Sequence, residues 1–228
     1  MQGLGCAEVT LNPWEAVGLT GGHSIVRTGV GKANAAGAVG ACLGRVAQSG
    51  HGRSEGERGE SGRAESGYAC VLSVGLAGAL PAANPMGVGE VLLAEHCVLA
   101  DEGLTTADGF VSQSEFGFPA IEGIGEQIPT DQMLNERLIG LADRVGLCAT
   151  VSTCSGTDAQ ARSIAQRTGA LAEDMEAAAV GLVAHRLGVP FGCVRVISNT
   201  TGNRDAQVWD LDGAFSVLAM LSGSVWNG

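Results

Sequence analysis

The stretch 174–199, DMEAAAVGLVAHRLGVPFGCVRVISN, decides the fold. Small and apolar residues follow the opening acids at helical spacing up to Leu187. Gly188 and Pro190 then stop the chain, as glycine and proline do just past a helix end. The next eight residues, 191–198, are apolar except for Arg195 and Ser198. A strand with no polar alternation is buried on both faces, and that occurs where helices cover a sheet from both sides. A helix over 174–187 leading into a strand over 191–198 is therefore an α/β unit.

Working outward, the same alternation recurs. Short β-like runs at 14–19 and 23–28 flank the turn signal Thr20-Gly21-Gly22. Residues 32–48 read as a helix of small residues with Val39, Leu43 and Val46 on one side. A strand over 68–74 runs into a glycine turn, Gly75-Leu76-Ala77-Gly78. A further strand spans 87–99, and an amphipathic helix spans 130–145 with Met133, Leu134, Leu138, Leu141 and Val145 on one face. A strand at 148–152, a helix at 156–167 and a last helix at 213–221 complete the reading. The fold class is α/β, a three-layer sandwich with a mixed, mostly parallel central sheet. The chain reads as one domain over 1–228. Residues 49–67 hold Gly, Ser, Glu and Arg almost without apolar groups; such a segment cannot offset its ordering entropy and reads as a disordered insertion.

Composition narrows the partners. The 228 residues carry a net charge of −11, which disfavours nucleic acid and anionic membrane surfaces, both of which need a basic face. No apolar run reaches the length of a membrane span, and the N-terminus lacks a basic-then-apolar signal pattern, so a cytoplasmic protein is expected. The seven cysteines are scattered, with no C-x-x-C pair and no metal-ligand spacing. They read as buried small hydrophobes, and no metal site is expected of them.

Chemistry concentrates at strand ends, where ligands bind in open α/β sheets. Asn199 follows the apolar strand. It reads equally as a turn asparagine or as a base reader, since an amide can donate to a purine O6 and accept from a protonated N7. Glu173, Asp174 and Glu176 sit at a helix start. Dipole stabilisation explains Asp174 on its own. Glu176 heads an apolar helix and needs a partner, which the two hydroxyls of a ribose diol would supply. The turns at 28–34 and 75–78 read either as tight strand–helix connections or as places where a flat ring or sugar approaches the backbone.

Taken together these segments resemble the purine nucleoside phosphorylase/nucleosidase superfamily. Residues 28–36 look like its G-[IV]-G-K-x-x-A-A segment, 74–80 like its G-x-A-G-x-L turn, 174–177 like its [EDG]-M-E-[AG] ribose motif, and 195–199 like R-x-[IV]-S-[DN]. The likeness is to the hydrolytic branch. Asn199, the 202–205 segment, Trp209, 108–110, 117–119 and 152–157 are similar to futalosine hydrolases; methylthioadenosine/S-adenosylhomocysteine nucleosidases would carry Asp at 199. The resemblance implies hydrolysis of the N-ribosidic bond of a 6-oxopurine nucleoside, futalosine, releasing hypoxanthine in a route to menaquinone. It implies catalytic roles for Asn199 on the base and Glu176 on the ribose. It places Ala77 and Gly78 beside the base and Met175 beside the sugar, and adds Asp174, Ser198 and Phe110 to the substrate-binding set. It implies a small-molecule purine nucleoside as partner, no cofactor, and a homo-oligomer. It also implies an N-terminal strand followed by a glutamate that activates water. Glu8 and Glu15 do not follow an apolar run, so the first strand reads as missing and that role is given to no residue. A methylthioadenosine/S-adenosylhomocysteine nucleosidase, a purine nucleoside phosphorylase, which needs a cationic phosphate pocket, and a catalytically impaired nucleoside-binding homologue are the competing readings.

Overall fold

The computed structural model describes residues 8–12, 24–49 and 68–227. The chain order is β1 (Glu8–Asn12), β2 (Ser24–Arg27), α1 (Lys32–Ser49), β3 (Cys70–Ala79), β4 (Val91–Leu99), β5 (Gly103–Thr106), β6 (Gly109–Ser112), β7 (Gln127–Pro129), α2 (Gln132–Leu138), β8 (Arg144–Thr150), α3 (Asp158–Thr168), β9 (Ala172–Asp174), α4 (Ala177–Arg186), β10 (Phe191–Thr200) and α5 (Leu211–Asn227). The run at 14–19 and the 50–67 part of the proposed insertion lie outside the described residues.

The expected α/β architecture with a mixed sheet is present. Its longest ladders are parallel, β10 with β3 and β4 with β8. The eight-stranded sheet runs β10-β4-β8-β9-β3-β1-β2, with β7 on β4. A further pairing joins β10 to β3, so β3, β10, β4, β8 and β9 form a closed circuit of ladders. β5 and β6 make a separate hairpin.

Helices cover the circuit on both sides. Val39 and Leu43 of α1 and the alanines of α4 pack with Leu92, Cys97, Cys148 and Ile197. Ala214 and Leu221 of α5 pack with Leu72, Leu93, Val194 and Val196 on the other side, together with Leu138 of α2. Odd and even positions of β10 thus both enter cores, which is why this strand shows no polar alternation. A third cluster seats α3 on Leu80, Ala149 and Val151.

Four expectations are corrected. A strand precedes residue 14: β1 pairs antiparallel with β2 and β3, and its alternating EVTLN sequence lacks the continuous apolar run expected of it. Residues 75–79 are not a turn but the second half of β3, held in register by β10. The helix expected over 130–145 ends at Leu138, followed by a 3₁₀ turn, Ile139–Leu141. Arg144 and Val145 pair with Leu92 and Leu93 instead, so the ladder to β4 overrides the helical spacing. Glu173 and Asp174 belong to β9, and α4 begins only at Ala177.

Candidate active site

Three strand ends meet at one rim. Gly78 of β3 is in register with Asn199 of β10 on one side and with Glu173 of β9 on the other. The β10 register shifts between Ile197 and Asn199, a bulge that re-aims the asparagine. A Cβ on Gly78 would lie 2.9 Å from Asn199 Nδ2 and 2.8 Å from Thr201 Cγ2. Glycine is thus what lets the amide lie across β3. Gly78→Ala should push aside only these two side-chain tips. We expect stability to change little while kcat/KM on the proposed substrate falls by about tenfold. Thermal denaturation and steady-state kinetics on one preparation separate the two effects.

Asn199 is oriented from below. Ser198 Oγ donates to its Oδ1 (2.8 Å), and its Nδ2 donates to Thr200 O (2.9 Å). An amide has two N–H groups and two acceptor lone pairs, so one of each remains for a ligand. Ser198 is itself buried, and its Oγ also reaches Ala77 O at 3.3 Å. It acts on the amide; Ala77, also buried, lies one position along β3 from Gly78.

Glu176 occupies the N-cap position of α4 without capping it. Its Oε1 accepts from the Gly31 N–H at 2.7 Å. Gly31 has φ 96°, a conformation glycine adopts at little cost. This is what the 28–34 turn does: it presents a backbone donor to Glu176. The carboxyl is only 6% exposed. Burial raises its pKa most and the Asp174 charge raises it further, against lowering by the Gly31 N–H and Arg195. Glu173 accepts from Ser155 N (2.8 Å) and Ser155 Oγ (2.6 Å), and burial likewise raises its pKa. Met175, half-buried, separates the two acids.

Asp174, expected in the substrate-binding set, is bonded within the fold. Its Oδ2 accepts from Arg195 Nε and Nη2, both at 2.7 Å, and from Ala177 N at 3.0 Å. Its Oδ1 accepts from Thr150 Oγ1 (2.6 Å), which in turn accepts from Ala178 N (2.9 Å). Arg195 is fully buried, and completes its bonding with Ser73 O, Ser73 Oγ and Val194 O. The carboxylate is therefore consumed internally. It fixes the first turn of α4 and, through it, the backbone that carries Glu176.

The loop after β10 closes the rim. Trp209 bridges back to Asn199 in antiparallel fashion, and Thr200 N donates to Val208 O. Gln207 Nε2 donates to Ser155 O (3.1 Å), the residue that holds Glu173. Contacts thus run from Gly78 to Asn199, Trp209, Gln207, Ser155, Glu173 and back to Gly78. Cys154 feels the same surroundings. Its thiol is pushed up to about 11 by burial and then by Glu173, Glu176 and Asp174, with Arg204 opposing.

Phe110 is not part of this rim. It lies on the β5–β6 hairpin with its ring 4.1 Å from the Arg167 guanidinium. Together with Leu99, Glu126 and Thr168 it lines a separate cavity of about 460 Å³. The hairpin leaves the sheet just beyond β4, which carries Phe110 away from Asn199 within the chain. Sequence reasoning missed Gly31, Thr150 and Ser155 as supports of the acids. Gly31, inside the quoted 28–36 segment, and Ser155, inside the quoted 152–157 segment, carried a signal; Thr150 carried none.

Residues 18–221 match a family model described as the phosphorylase superfamily. A futalosine hydrolase from Acidothermus cellulolyticus is 35% identical over 153 residues, which are 66% of this chain and 62% of that protein. The chain thus spans 62% of that relative's length. A futalosine hydrolase from Thermus thermophilus is 34% identical over 209 residues, 89% of this chain and 80% of that protein. Among solved structures, the 5'-methylthioadenosine/S-adenosylhomocysteine nucleosidase of Neisseria meningitidis, in complex with methylthio-immucillin-A, superposes with a TM-score of 0.65. It is 19% identical, with 89% of this chain and 84% of that chain covered.

Proposed function

Because this chain belongs to the phosphorylase superfamily, we propose that it is a nucleosidase that hydrolyses the N-ribosidic bond of a 6-oxopurine nucleoside, with futalosine as substrate and hypoxanthine as the released base. One observation supports the reading: Asn199, an oriented amide, ends β10 beside Gly78, whose other neighbour Glu173 belongs to the strand that leads into the buried carboxylate Glu176, and both side chains keep bonding capacity to spare. The C1′–N9 bond breaks with its electron pair passing to the purine; water supplies the new C1′ oxygen, keeps one proton there as the hydroxyl, and in the balance gives its other proton to the released base. Asn199 donates to O6 and accepts from the protonated N7, so it stabilises the base as it departs. Glu176 accepts from the 2′- and 3′-hydroxyls and offsets the positive charge that builds on the ribose. Met175 borders the sugar; Ala77 and Gly78 border the base.

The amide also separates this reading from its neighbours. A 6-aminopurine nucleosidase is better served by a carboxylate at 199, which accepts from an exocyclic amine. A phosphorylase would need a cluster of cations for phosphate; of the two strand arginines, Arg27 is exposed on β2 and Arg195 is fully engaged by Asp174 and Ser73. A place in menaquinone synthesis, a cytoplasmic location and a homo-oligomeric assembly follow as parts of the same proposal. Consistent with them, no helix among the described residues is long and apolar enough to cross a membrane.

The test is chromatographic detection of hypoxanthine from futalosine, run beside adenine nucleosides. In Asn199→Asp the ratio of kcat/KM for 6-oxo over 6-amino substrates should fall by about 10²-fold, since a donor to O6 becomes a second acceptor. Adenine release by the wild type without hypoxanthine release, or an unchanged ratio in the variant, refutes the base-reading role.

A further inference from the structure

The loop from Thr200 to Trp209 is held at both ends, and only one end belongs to the rim described above. At that end Thr200 N donates to Val208 O (3.0 Å), Val208 N donates to Thr200 Oγ1 (3.0 Å), and Trp209 bridges Asn199. At the far end the loop is tied to the start of α3 by Asp158 and Asn203. Asn203 N donates to Asp158 Oδ1 (2.9 Å), Asn203 Nδ2 donates to Asp158 Oδ2 (2.8 Å), and Asp158 N donates to Asn203 Oδ1 (3.1 Å). Both oxygens of the acid and both polar atoms of the amide are thus used within the pair. Gly202 permits the approach: it is buried, has φ 106°, and a Cβ on it would lie 2.5 Å from Asp158 Oδ1.

A helix cap does not account for the whole pair. Asp158 N is one of the orphan donors at the start of α3, and Asn203 Oδ1 satisfies it. Thr157 already caps the helix by accepting from Gln160 N (3.2 Å), and the two bonds from Asn203 to the carboxylate serve the loop instead. Between the two ends run Arg204 N to Gly156 O (3.1 Å) and Gln207 Nε2 to Ser155 O (3.1 Å), so residues 155–158 are the bed on which the loop rests. Ser155 of that bed holds Glu173, and Asp210 N, where the loop leaves, donates to Ser198 O (2.9 Å), next to Asn199. The loop that borders Asn199 is thereby set in register against α3, and Asp158 with Asn203 makes that contact at its tip.

We propose that Asp158 is a positioning residue for Asn199: paired with Asn203, it pins the tip of the 200–209 loop to α3 and so holds the amide where it meets the departing base. This rests on the nucleosidase reading and adds a residue to the same site. Asp158 makes no contact with Asn199 and acts through the loop. An amide that shifts loses its alignment on N7 and O6, and the loss falls on the step in which the base takes up charge.

The experiment measures kcat and KM for hypoxanthine release from futalosine with wild type, Asn203→Ala, Asp158→Asn and the exchanged pair, Asp158→Asn with Asn203→Asp. Asn203→Ala is also made together with Asn199→Ala. Asn203→Ala and Asp158→Asn each lower kcat by about tenfold and change KM by less than about threefold. The exchanged pair keeps the net charge and remakes all three bonds, because its amide donates to its carboxylate and each backbone N–H retains an oxygen. It recovers kcat to within about threefold of the wild type. With Asn199→Ala in place, Asn203→Ala lowers kcat no further, because the group it positions is gone. Asn203 is exposed, so its truncation keeps a melting temperature close to that of the wild type and serves as the test where Asp158→Asn does not fold. A pair that only capped α3 would lower the melting temperature and leave kcat alone. Wild-type kcat in Asn203→Ala, a folded exchanged pair no faster than the single variants, or an equal loss with Asn199 and without it overturns this inference alone. No hypoxanthine release by the wild type overturns the nucleosidase reading and this inference with it.

Discussion

Glu176→Gln should lower kcat/KM for nucleoside hydrolysis by about 10²–10³-fold, a loss on the scale of removing one preorganised electrostatic group. Glutamine keeps an oxygen to accept from Gly31 N–H, so the backbone contact survives while the charge is lost. The effect should fall on kcat, because the carboxylate acts most strongly on charge that exists only in the transition state. The pH profile adds an independent readout. Burial raises the Glu176 pKa above its ordinary value of 4.5, so the proton is held to higher pH. Activity requires the ionised form, and its acid limb should lie above the usual carboxylate range and vanish in Glu176→Gln. The stability linkage has the opposite sign. A raised folded-state pKa contributes stability that is fully present below the unfolded value and is lost as pH rises through the folded one. Acidification through this window should therefore cost the enzyme activity while favouring its folded form at this residue. A variant with wild-type kcat would remove Glu176 from the mechanism.

Arg195→Met should destabilise the fold by about 3–5 kcal/mol, the cost of stranding one partner of a buried ion pair. Both side chains are fully buried, and Asp174 would be left ionised among groups that cannot replace the guanidinium. Arg195→Met combined with Asp174→Asn should recover part of the loss, since the asparagine oxygen can still accept from Ala177 N without an unpaired charge. Urea denaturation of the two single variants and the double variant measures the coupling. A loss below about 1 kcal/mol in Arg195→Met, the range of exposed pairs, would show that the network is not a structural anchor.

The same pair shows where the sequence was legible and where it was not. Asn199 and Glu176 stood out because each breaks an apolar pattern at the end of an element; the structure sets Asn199 beside Gly78 and Glu176 against the Gly31 N–H. Asp174 broke the pattern too, two residues earlier, and was grouped with the ligand-facing acids. The corrective signal was Arg195: a charge inside a wholly apolar strand must find a buried partner, and Asp174 is that partner. What could not be read was which carboxylate would be consumed, because that depends on β9 lying between β8 and β3, a long-range fact. Phe110 lies on the β5–β6 hairpin, away from these strand ends within the chain, for a related reason, since proximity in a motif says nothing about where a hairpin swings. The helix over 130–145 failed locally: a spacing that suits a helix also fits a strand once β4 offers it a ladder.

The closed circuit of ladders has a consequence for what the protein can accommodate. From Asn199 across Gly78 to Glu173 is two neighbouring-chain steps, each about 4.8 Å in any sheet, so about 10 Å of sheet separates the backbone that carries Asn199 from the backbone that carries Glu173. That interval is a property of peptide groups locked to one another around a hoop. Repacking the surrounding helices leaves it unaltered. The spacing of the rim residues is thus set by the backbone, and side chains are left to decide only what each of them meets.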